Sequence, residues 1–192
     1  MRLSTEEIKK IFIDSGALLE GHFRLTSGRH SDRYIQCARV LMEPKYTAAL
    51  CSHLAEAFKD KEVDIVVGPA MGGIVISYEM ARQLGVPSLF TERVDGKMTL
   101  RRNFEIEKGQ KVLVVEDVVT TGGSVKEVID IVKEKGGEVV GVALLVDRSN
   151  GKVDLGTTIE ACLSMDVVSY EERECPLCKE GKPIVKPGSR AN

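Results

Sequence analysis

Two adjacent carboxylates, Glu116 and Asp117, end a short apolar run and lead into a glycine-containing loop, within the segment VLVVEDVVTTGGS (residues 112–124). The glycines let the backbone turn tightly and approach a ligand closely. Free N–H groups at the start of a following helix, together with Thr and Ser hydroxyls, make a cradle for a phosphate. Carboxylates accept hydrogen bonds from sugar hydroxyls and are ligands for Mg²⁺. The segment therefore predicts a sugar-phosphate site.

Other phosphate-binding loops do not fit this segment. No Lys follows the glycines, which excludes the GxxxxGK[ST] loop, and no GxGxxG pattern follows the strand. A plain strand–turn–helix with solvated acids is the alternative. The coincidence of strand, acid pair, Thr pair and Gly pair disfavours it.

A second segment, residues 92–110, is polar and rich in cations. Its length and charge predict a mobile loop or a β-hairpin, and such segments often carry function. A cationic lid of this kind stabilises negative charge on a leaving group and excludes water from the reaction. An ordinary solvated turn is the alternative, and it is plausible for Arg101 or Arg102 taken singly.

The elements around these segments alternate as in a parallel α/β protein. Helical spacing or capping signals predict helices, and short apolar runs predict buried strands. The predicted helices cover residues 5–15, 45–59, 72–84 and 124–135, and the predicted strands cover 63–67, 88–91, 111–116 and 139–146. This order predicts an open, mostly parallel sheet flanked by helices, with ligands at the carboxyl ends of its strands. Residues 21–41 are expected to be irregular to extended.

Composition narrows the class of protein. The chain has 192 residues, 43% hydrophobic and 29% charged, which suits one globular domain. A net charge of −2 argues against general affinity for nucleic acid or an anionic membrane. No apolar run reaches the roughly 20 residues of a bilayer span, and no secretory signal is recognisable. Five scattered cysteines favour a reducing cytoplasm over a disulfide framework.

At the level of motifs, EDVVTTGGS closely resembles the phosphoribosyl-pyrophosphate signature of type I phosphoribosyltransferases. Within that group, the chain resembles the orotate phosphoribosyltransferase family in three further segments. Residues 21–37 are similar to its N-terminal hood, residues 89–104 to its mobile catalytic loop, and residues 144–149 to the strand end that carries its orotate-binding Arg. The resemblance implies a single domain, with a hood and first helix (1–42), an α/β core (43–170) and a polar tail (171–192).

The resemblance also implies roles for individual residues. Glu116 and Asp117 would hold the ribose hydroxyls, and Mg²⁺ would enter with the substrate, near Asp117. Arg148 would grip orotate, with Thr120 touching it as well. Lys97 would act on the departing pyrophosphate. Further residues that would bind phosphoribosyl pyrophosphate are Arg93, Val118, Val119, Thr120, Thr121, Gly122, Gly123 and Ser124.

The chain departs from the family pattern at three positions. Thr26 and Gly72 stand where many relatives carry Lys, and Thr99 stands where the usual lid has His. Residues 68–73 still resemble the pyrophosphate loop, with backbone N–H groups made accessible by glycines. Tyr34 matches an aromatic near the base, although a half-buried hood residue is an equal alternative. As an alternative for Arg148, its neighbour Asp147 could form a surface ion pair with it.

Cysteine and histidine side chains are further candidates for metal ligands. The histidines (His22, His30 and His53) show no metal-ligand spacing and are expected to be structural or on the surface. Cys175-Pro-Leu-Cys178 could bind Zn²⁺ with a second pair from a dimer partner or with Cys162, or form a redox pair. Two free thiols on a disordered polar tail are favoured over these alternatives.

Two rival functions remain at this level. A purine phosphoribosyltransferase would not need the carboxylate clamp that Arg148 offers. A regulator that senses phosphoribosyl pyrophosphate and binds RNA or DNA would be expected to show a basic face or an added domain. The resemblance further implies a homodimer in which each lid reaches over the neighbour's site.

Overall fold

The computed structural model describes residues 2–25, 27–165 and 168–187. Thr26, one of the three departures noted above, lies outside the described residues. In chain order the elements are α1 (Thr5–Asp14), β1 (Leu18–Arg24), β2 (His30–Ile35), α2 (Ala38–Leu41), α3 (Pro44–Ala55), β3 (Ile65–Pro69), α4 (Gly72–Leu84), β4 (Ser88–Val94), β5 (Lys97–Leu100), β6 (Lys111–Val119), α5 (Gly123–Glu134), β7 (Glu138–Asp147), β8 (Ile159–Ser164), a 3₁₀ turn (Glu172–Glu174) and α6 (Pro176–Lys179).

The central sheet has six strands in the order β5-β4-β3-β6-β7-β8. Strands β4, β3, β6, β7 and β8 run parallel, and only β5 is antiparallel to its neighbour β4. The prediction of an open, mostly parallel sheet is thereby confirmed. Residues 92–110 include the β4–β5 hairpin, one of the two alternatives predicted for them.

Helices cover both faces of the sheet. Successive side chains of a strand point to opposite faces, so each central strand contributes to both cores. Leu113 and Val115 of β6 pack on the face that α1, α3 and α4 cover. Val112 and Val114 pack on the other face, against the apolar side of α5. Two continuous cores therefore hold β6 rigidly from both sides, and the residues at its carboxyl end inherit that rigidity.

The N-terminal helix begins where its capping residues predict. Ser4 is the N-cap: its hydroxyl accepts from Glu7 N at 3.3 Å, and the Glu7 carboxylate accepts from Ser4 N at 2.8 Å. This reciprocal pair satisfies two backbone donors that the first turn would otherwise leave unpaired.

The C-terminal segment, residues 168–187, differs from the prediction. Through residue 187 it is ordered, with the 3₁₀ turn and α6, and it contacts the β1–β2 hairpin. His30 pairs with Tyr170, and Phe23 pairs with Val185, through isolated β-bridges. The prediction of a disordered tail is wrong for these residues. Pairing with the hairpin satisfies backbone groups that would be hydrated in a disordered tail.

Candidate active site

A cavity of about 1190 Å³ opens at the carboxyl ends of β3, β6 and β7. Its walls come from the tip of the β1–β2 hairpin, the loop after β3, the β6–α5 loop and the residue after β7. This position, outside the carboxyl ends of parallel strands, is where open α/β sheets bind ligands. Of the residues predicted for the site, those that line it are Arg93, Glu116, Asp117, Val118, Val119, Thr120, Thr121, Gly122, Gly123, Ser124 and Arg148.

The β6–α5 loop presents its backbone to this cavity. Gly122 has φ +78°, a left-handed conformation, and a Cβ there would lie 2.7 Å from Val153 Cγ1. Only glycine allows both the turn and the close packing. Since α5 begins at Gly123, the N–H groups of its first turn have no partner within the helix and lie at the cavity. The loop thus provides the geometry of an anion cradle.

The two carboxylates next to this cradle are held by the backbone. One oxygen of Glu116 accepts from Asp117 N at 3.0 Å, and Asp117 Oδ1 accepts from Val118 N at 2.8 Å. Burial, together with the neighbouring charge of Asp117, raises the pKa of Glu116 to about 9. Burial also raises the pKa of Asp117. The pair therefore lacks a cationic neighbour strong enough to offset its desolvation.

A divalent cation fits this donor set. Hard oxygen ligands suit Mg²⁺, which is commonly held by one or two carboxylates, with substrate phosphates and water completing its shell. Asp117 Oδ1 is engaged by the backbone, and Asp117 Oδ2 lies beside Gly72. The fit thus rests on the chemistry of the pair and on its raised pKa values.

Arg148 follows β7 and reaches the cavity from the side opposite the lid hairpin (β4–β5). Its backbone N–H donates to Val119 O at 2.8 Å, which keeps it beside the phosphate loop. Its Nε is buried without a hydrogen-bond partner, and burial lowers the pKa of Arg148. Among the described residues, no carboxylate forms an ion pair with it. Asp147, the alternative partner, instead accepts from Ser149 N and Gly151 N at 2.7 and 2.9 Å.

Tyr34 lines the same cavity near Arg148. It is half-buried, and its ring lies 5.8 Å from that of Phe23. Tyr34 is therefore a half-buried residue of the hairpin that also faces the cavity, and its place near the base stays a prediction. Cys37 lies behind the carboxylates, with Sγ 3.6 Å from Asp117 O. Burial raises the pKa of the Cys37 thiol well above its ordinary value, so it remains protonated and structural.

The two predicted cations of the lid hairpin, Arg93 and Lys97, lie in different surroundings. Arg93 lines the cavity, where it forms an ion pair with Glu127 at 2.9 Å and donates to Gly96 O at 2.8 Å. Lys97, in contrast, is exposed at the start of β5 and is not part of the cavity wall of its own chain. Thr99 likewise lies outside the wall and donates to Lys97 O at 3.2 Å.

Sequence reasoning missed one cation of the site. Arg29, at the hairpin tip, lines the cavity, and its guanidinium donates to Ser169 Oγ at 2.8 Å and Ser169 O at 2.6 Å. It also pairs with Glu171. Ser169 and Glu171 follow Arg29 by 140 and 142 residues, so no local sequence pattern could predict these contacts. The only available signal was the position of Arg29 within the hood segment.

The comparisons with known proteins agree with this geometry. The family model described as "Phosphoribosyl transferase domain" matches residues 43–171. A protein of Desulforamulus reducens named "Orotate phosphoribosyltransferase" is 62% identical over 188 residues, which cover 98% of both chains. The chain belongs to the orotate phosphoribosyltransferase family. The sequence resemblance and the predicted fold class are therefore confirmed.

Other members of the orotate phosphoribosyltransferase family agree. A relative from Pelotomaculum thermopropionicum with the same name is 60% identical, over 98% of this chain and 99% of its own. The crystal structure of orotate phosphoribosyltransferase from Aeropyrum pernix superposes with a TM-score of 0.69 at 26% identity, covering 82% of this chain and 93% of its own. The helices in the described part of this chain all lack the length and apolar character needed to cross a bilayer.

Proposed function

We propose that this protein transfers the 5-phosphoribosyl group from phosphoribosyl pyrophosphate to orotate, giving orotidine 5'-phosphate and pyrophosphate in de novo pyrimidine synthesis. One observation carries the choice of orotate: the Arg148 guanidinium lines the same cavity as the phosphate loop, and its buried Nε has no hydrogen-bond partner among the described residues. A planar guanidinium binds a carboxylate through two parallel hydrogen bonds. Orotate carries such a carboxylate, whereas adenine, hypoxanthine and uracil do not.

The donor would bind along the β6–α5 loop. Residues 120–124 offer N–H and hydroxyl groups to the 5-phosphate, and the carboxylates of Glu116 and Asp117 accept from the ribose hydroxyls. Thr120, at the boundary, would contact both the donor and orotate. Carboxylates with raised pKa values favour this arrangement, because hydroxyl donors offset part of their lost hydration.

The lid would act on charge that develops as the bond between the anomeric carbon and the pyrophosphate oxygen breaks. The sugar becomes positive and the leaving pyrophosphate negative, while the ring nitrogen of orotate forms the new bond to carbon. Arg93 lies at the cavity and Lys97 on the hairpin next to it. Cations at this point stabilise the separated charge.

We propose Mg²⁺ as the metal, bound chiefly through the donor's phosphates and near Asp117. When bound, Mg²⁺ would neutralise the charge of the pyrophosphate and so assist its departure. The protein's own contribution is the carboxylate pair, which the backbone N–H groups of Asp117 and Val118 orient.

A homodimer with shared active sites is part of the proposal. Met71, the N-cap of α4, and Val75 and Tyr78 within α4 are 82%, 43% and 68% exposed. Their spacing puts them on one side of the helix, and Met71 lines the cavity. Clusters of exposed apolar side chains often mark protein interfaces. Lys97 is absent from the cavity wall of its own chain, which is expected if each lid serves the partner's site. Free thiols at all five cysteines suit the reducing cytoplasm.

The test follows orotate absorbance after phosphoribosyl pyrophosphate and Mg²⁺ are added, with adenine, hypoxanthine and uracil as parallel acceptors. We expect turnover with orotate alone, and its loss when Mg²⁺ is chelated. Turnover with a purine in place of orotate would overturn the assignment of Arg148. Donor binding without turnover on any base would favour a sensor of phosphoribosyl pyrophosphate.

A further inference from the structure

A second cluster of reactive side chains lies outside the active site, where the C-terminal segment meets the β1–β2 hairpin. It consists of His22, His30, Cys175 and Cys178, and one ligand atom from each lies within 4.8 Å of all the others. The sequence shows no metal-ligand spacing for the histidines, but the fold brings His22 and His30 next to the two cysteines. Both cysteines are free thiols, as predicted, although their segment packs against the hairpin.

We propose that these four residues bind one Zn²⁺ ion. Zinc bonds of about 2.0–2.1 Å to nitrogen and about 2.3 Å to sulfur, at tetrahedral angles, put nitrogen and sulfur about 3.5 Å apart and two nitrogens about 3.3 Å apart. His22 Nε2 lies 3.5 Å from Cys175 Sγ and 3.7 Å from Cys178 Sγ. Cys178 Sγ lies 3.3 Å from His30 Nδ1, and the two ring nitrogens are 3.0 Å apart.

Hydrogen bonding among the four groups does not explain this arrangement. His22 Nε2 faces three polar atoms at once, one each from His30, Cys175 and Cys178. A ring nitrogen has either one proton or one lone pair, so it makes one good hydrogen bond and leaves the other neighbours unsatisfied. A cation at the centre takes one lone pair from each group and satisfies all four.

The surroundings of His22 fit a zinc ligand. Its Nδ1 lies 2.8 Å from the backbone carbonyl of Lys182, which accepts the N–H and leaves Nε2 free to bind metal. Zinc-binding histidines almost always have such an outer partner. His22, His30 and Cys175 are buried, and Cys178 is exposed at the edge, beside a small cavity that offers a path for the ion.

Four protein ligands identify a structural site rather than a catalytic one, since no position is left for water or substrate. The ion would link the hairpin to the C-terminal segment across 153 residues of chain. The linked parts each contribute to the active-site wall: the hairpin tip carries Arg29, and the C-terminal segment carries Ser169, its hydrogen-bond partner. Zinc would therefore stabilise a wall of the active site from outside it.

The experiment is zinc analysis of the full chain, purified without added metal and after removal of any affinity tag. We expect about one zinc per chain in the wild type, and less than about 0.1 in Cys178→Ser and His30→Asn. The matched controls are Cys162→Ser and His53→Asn, which should keep about one zinc. Cys162 lies in the main core with its thiol near Leu50 O, and His53 Nδ1 accepts from Leu3 N.

A second measurement does not depend on how the variants fold. Co²⁺ exchanged into the wild-type protein should give the visible bands of a tetrahedral site and a thiolate charge-transfer band. Wild-type protein with negligible zinc and no tetrahedral cobalt spectrum would overturn the proposal. So would a stoichiometric disulfide between Cys175 and Cys178, or full zinc in both ligand variants. Metal content is independent of activity on orotate, so this test and that of the proposed function can fail separately.

Discussion

Gly72 leaves the space that the Asp117 carboxylate needs. A Cβ at Gly72 would lie 2.4 Å from Asp117 Oδ2, closer than any van der Waals contact allows. Gly72 begins α4, shortly after β3 ends, and Asp117 lies near the end of β6, the neighbour of β3 in the sheet. The glycine at position 72, where the family resemblance leads us to expect Lys, is thus coupled to the position of a proposed ribose ligand.

Gly72→Ala should therefore weaken donor binding. The methyl group would displace the Asp117 carboxylate, and we expect at least about a tenfold rise in KM for phosphoribosyl pyrophosphate. Alanine is favoured over glycine in a helix by about 1 kcal/mol, so the fold should survive, which a thermal melt would check. Unchanged donor affinity in a folded variant would contradict the coupling.

Arg148→Ala should act on orotate far more than on the donor. Removing one partner of a buried charge pair costs about 2–5 kcal/mol, so KM for orotate should rise at least about thirtyfold. Arg148→Lys should recover little, because an ammonium lacks the two-pronged geometry. Isothermal titration with each substrate separates the effects, and Arg39→Ala, an exposed arginine of α2, is the control. Equal loss of both affinities would count against the orotate role.

Lys97→Ala should lower turnover and leave the affinity for orotate nearly unchanged. The reason is that Lys97 is proposed to meet charge that exists only as pyrophosphate departs. We expect kcat to fall by about 10²-fold, as for loss of other preorganised charge partners. Steady-state rates at saturating substrates measure it. A variant with wild-type turnover would remove Lys97 from the mechanism.

Mixing two impaired variants, assayed at an orotate concentration well below the KM of Arg148→Ala, tests whether the active sites are shared. If each lid serves the partner's site, a heterodimer of Lys97→Ala and Arg148→Ala chains contains one site with both residues intact. Random exchange should then restore about a quarter of wild-type activity, since half of the dimers are mixed and each has one good site. If each lid serves its own chain, the mixture stays at the low activity of the separate variants.

Glu116→Gln should stabilise the ligand-free protein while impairing it as an enzyme. Because burial and Asp117 raise the pKa of Glu116 from 4.5 to about 9, its folded-state proton is retained where the unfolded chain has lost it. Wild-type stability should therefore decline as pH rises from about 4.5 towards 9, and the Gln variant should lack this decline.

Urea unfolding at several pH values, without added divalent metal, measures that difference. Relative to wild type, the variant should gain at least about 1 kcal/mol between the two ends of the range, because one pKa unit corresponds to about 1.4 kcal/mol. Its turnover should fall at least about tenfold through loss of a ribose contact. Glu20→Gln, at an exposed position of β1, is the matched control. A pH-independent difference would show that Glu116 is ionised in the folded protein.

Many secondary-structure elements of this protein, and part of its candidate site, can be predicted from local sequence. The strand Lys111–Val119, the glycine turn and helix α5 were predicted to within a few residues. The strand shows as an apolar run, the turn as a pair of glycines and the helix as helical periodicity, and each of these signals lies within a short window. The same contiguity brings the acid pair and the phosphate loop to one strand end. Family motifs added Arg148, whose position after β7 follows from the register Val119↔Asp147.

The tertiary structure decided what depends on distant parts of the chain meeting. His22 and Cys175 are 153 residues apart, and Arg29 and Ser169 are 140 apart. Neither pair has a sequence period, since both arise where the C-terminal segment pairs with the β1–β2 hairpin. The space at Gly72 is of the same kind, because it depends on where β6 puts Asp117 relative to α4. Local propensity determines the elements, but contacts between them depend on packing, which no short window of sequence contains.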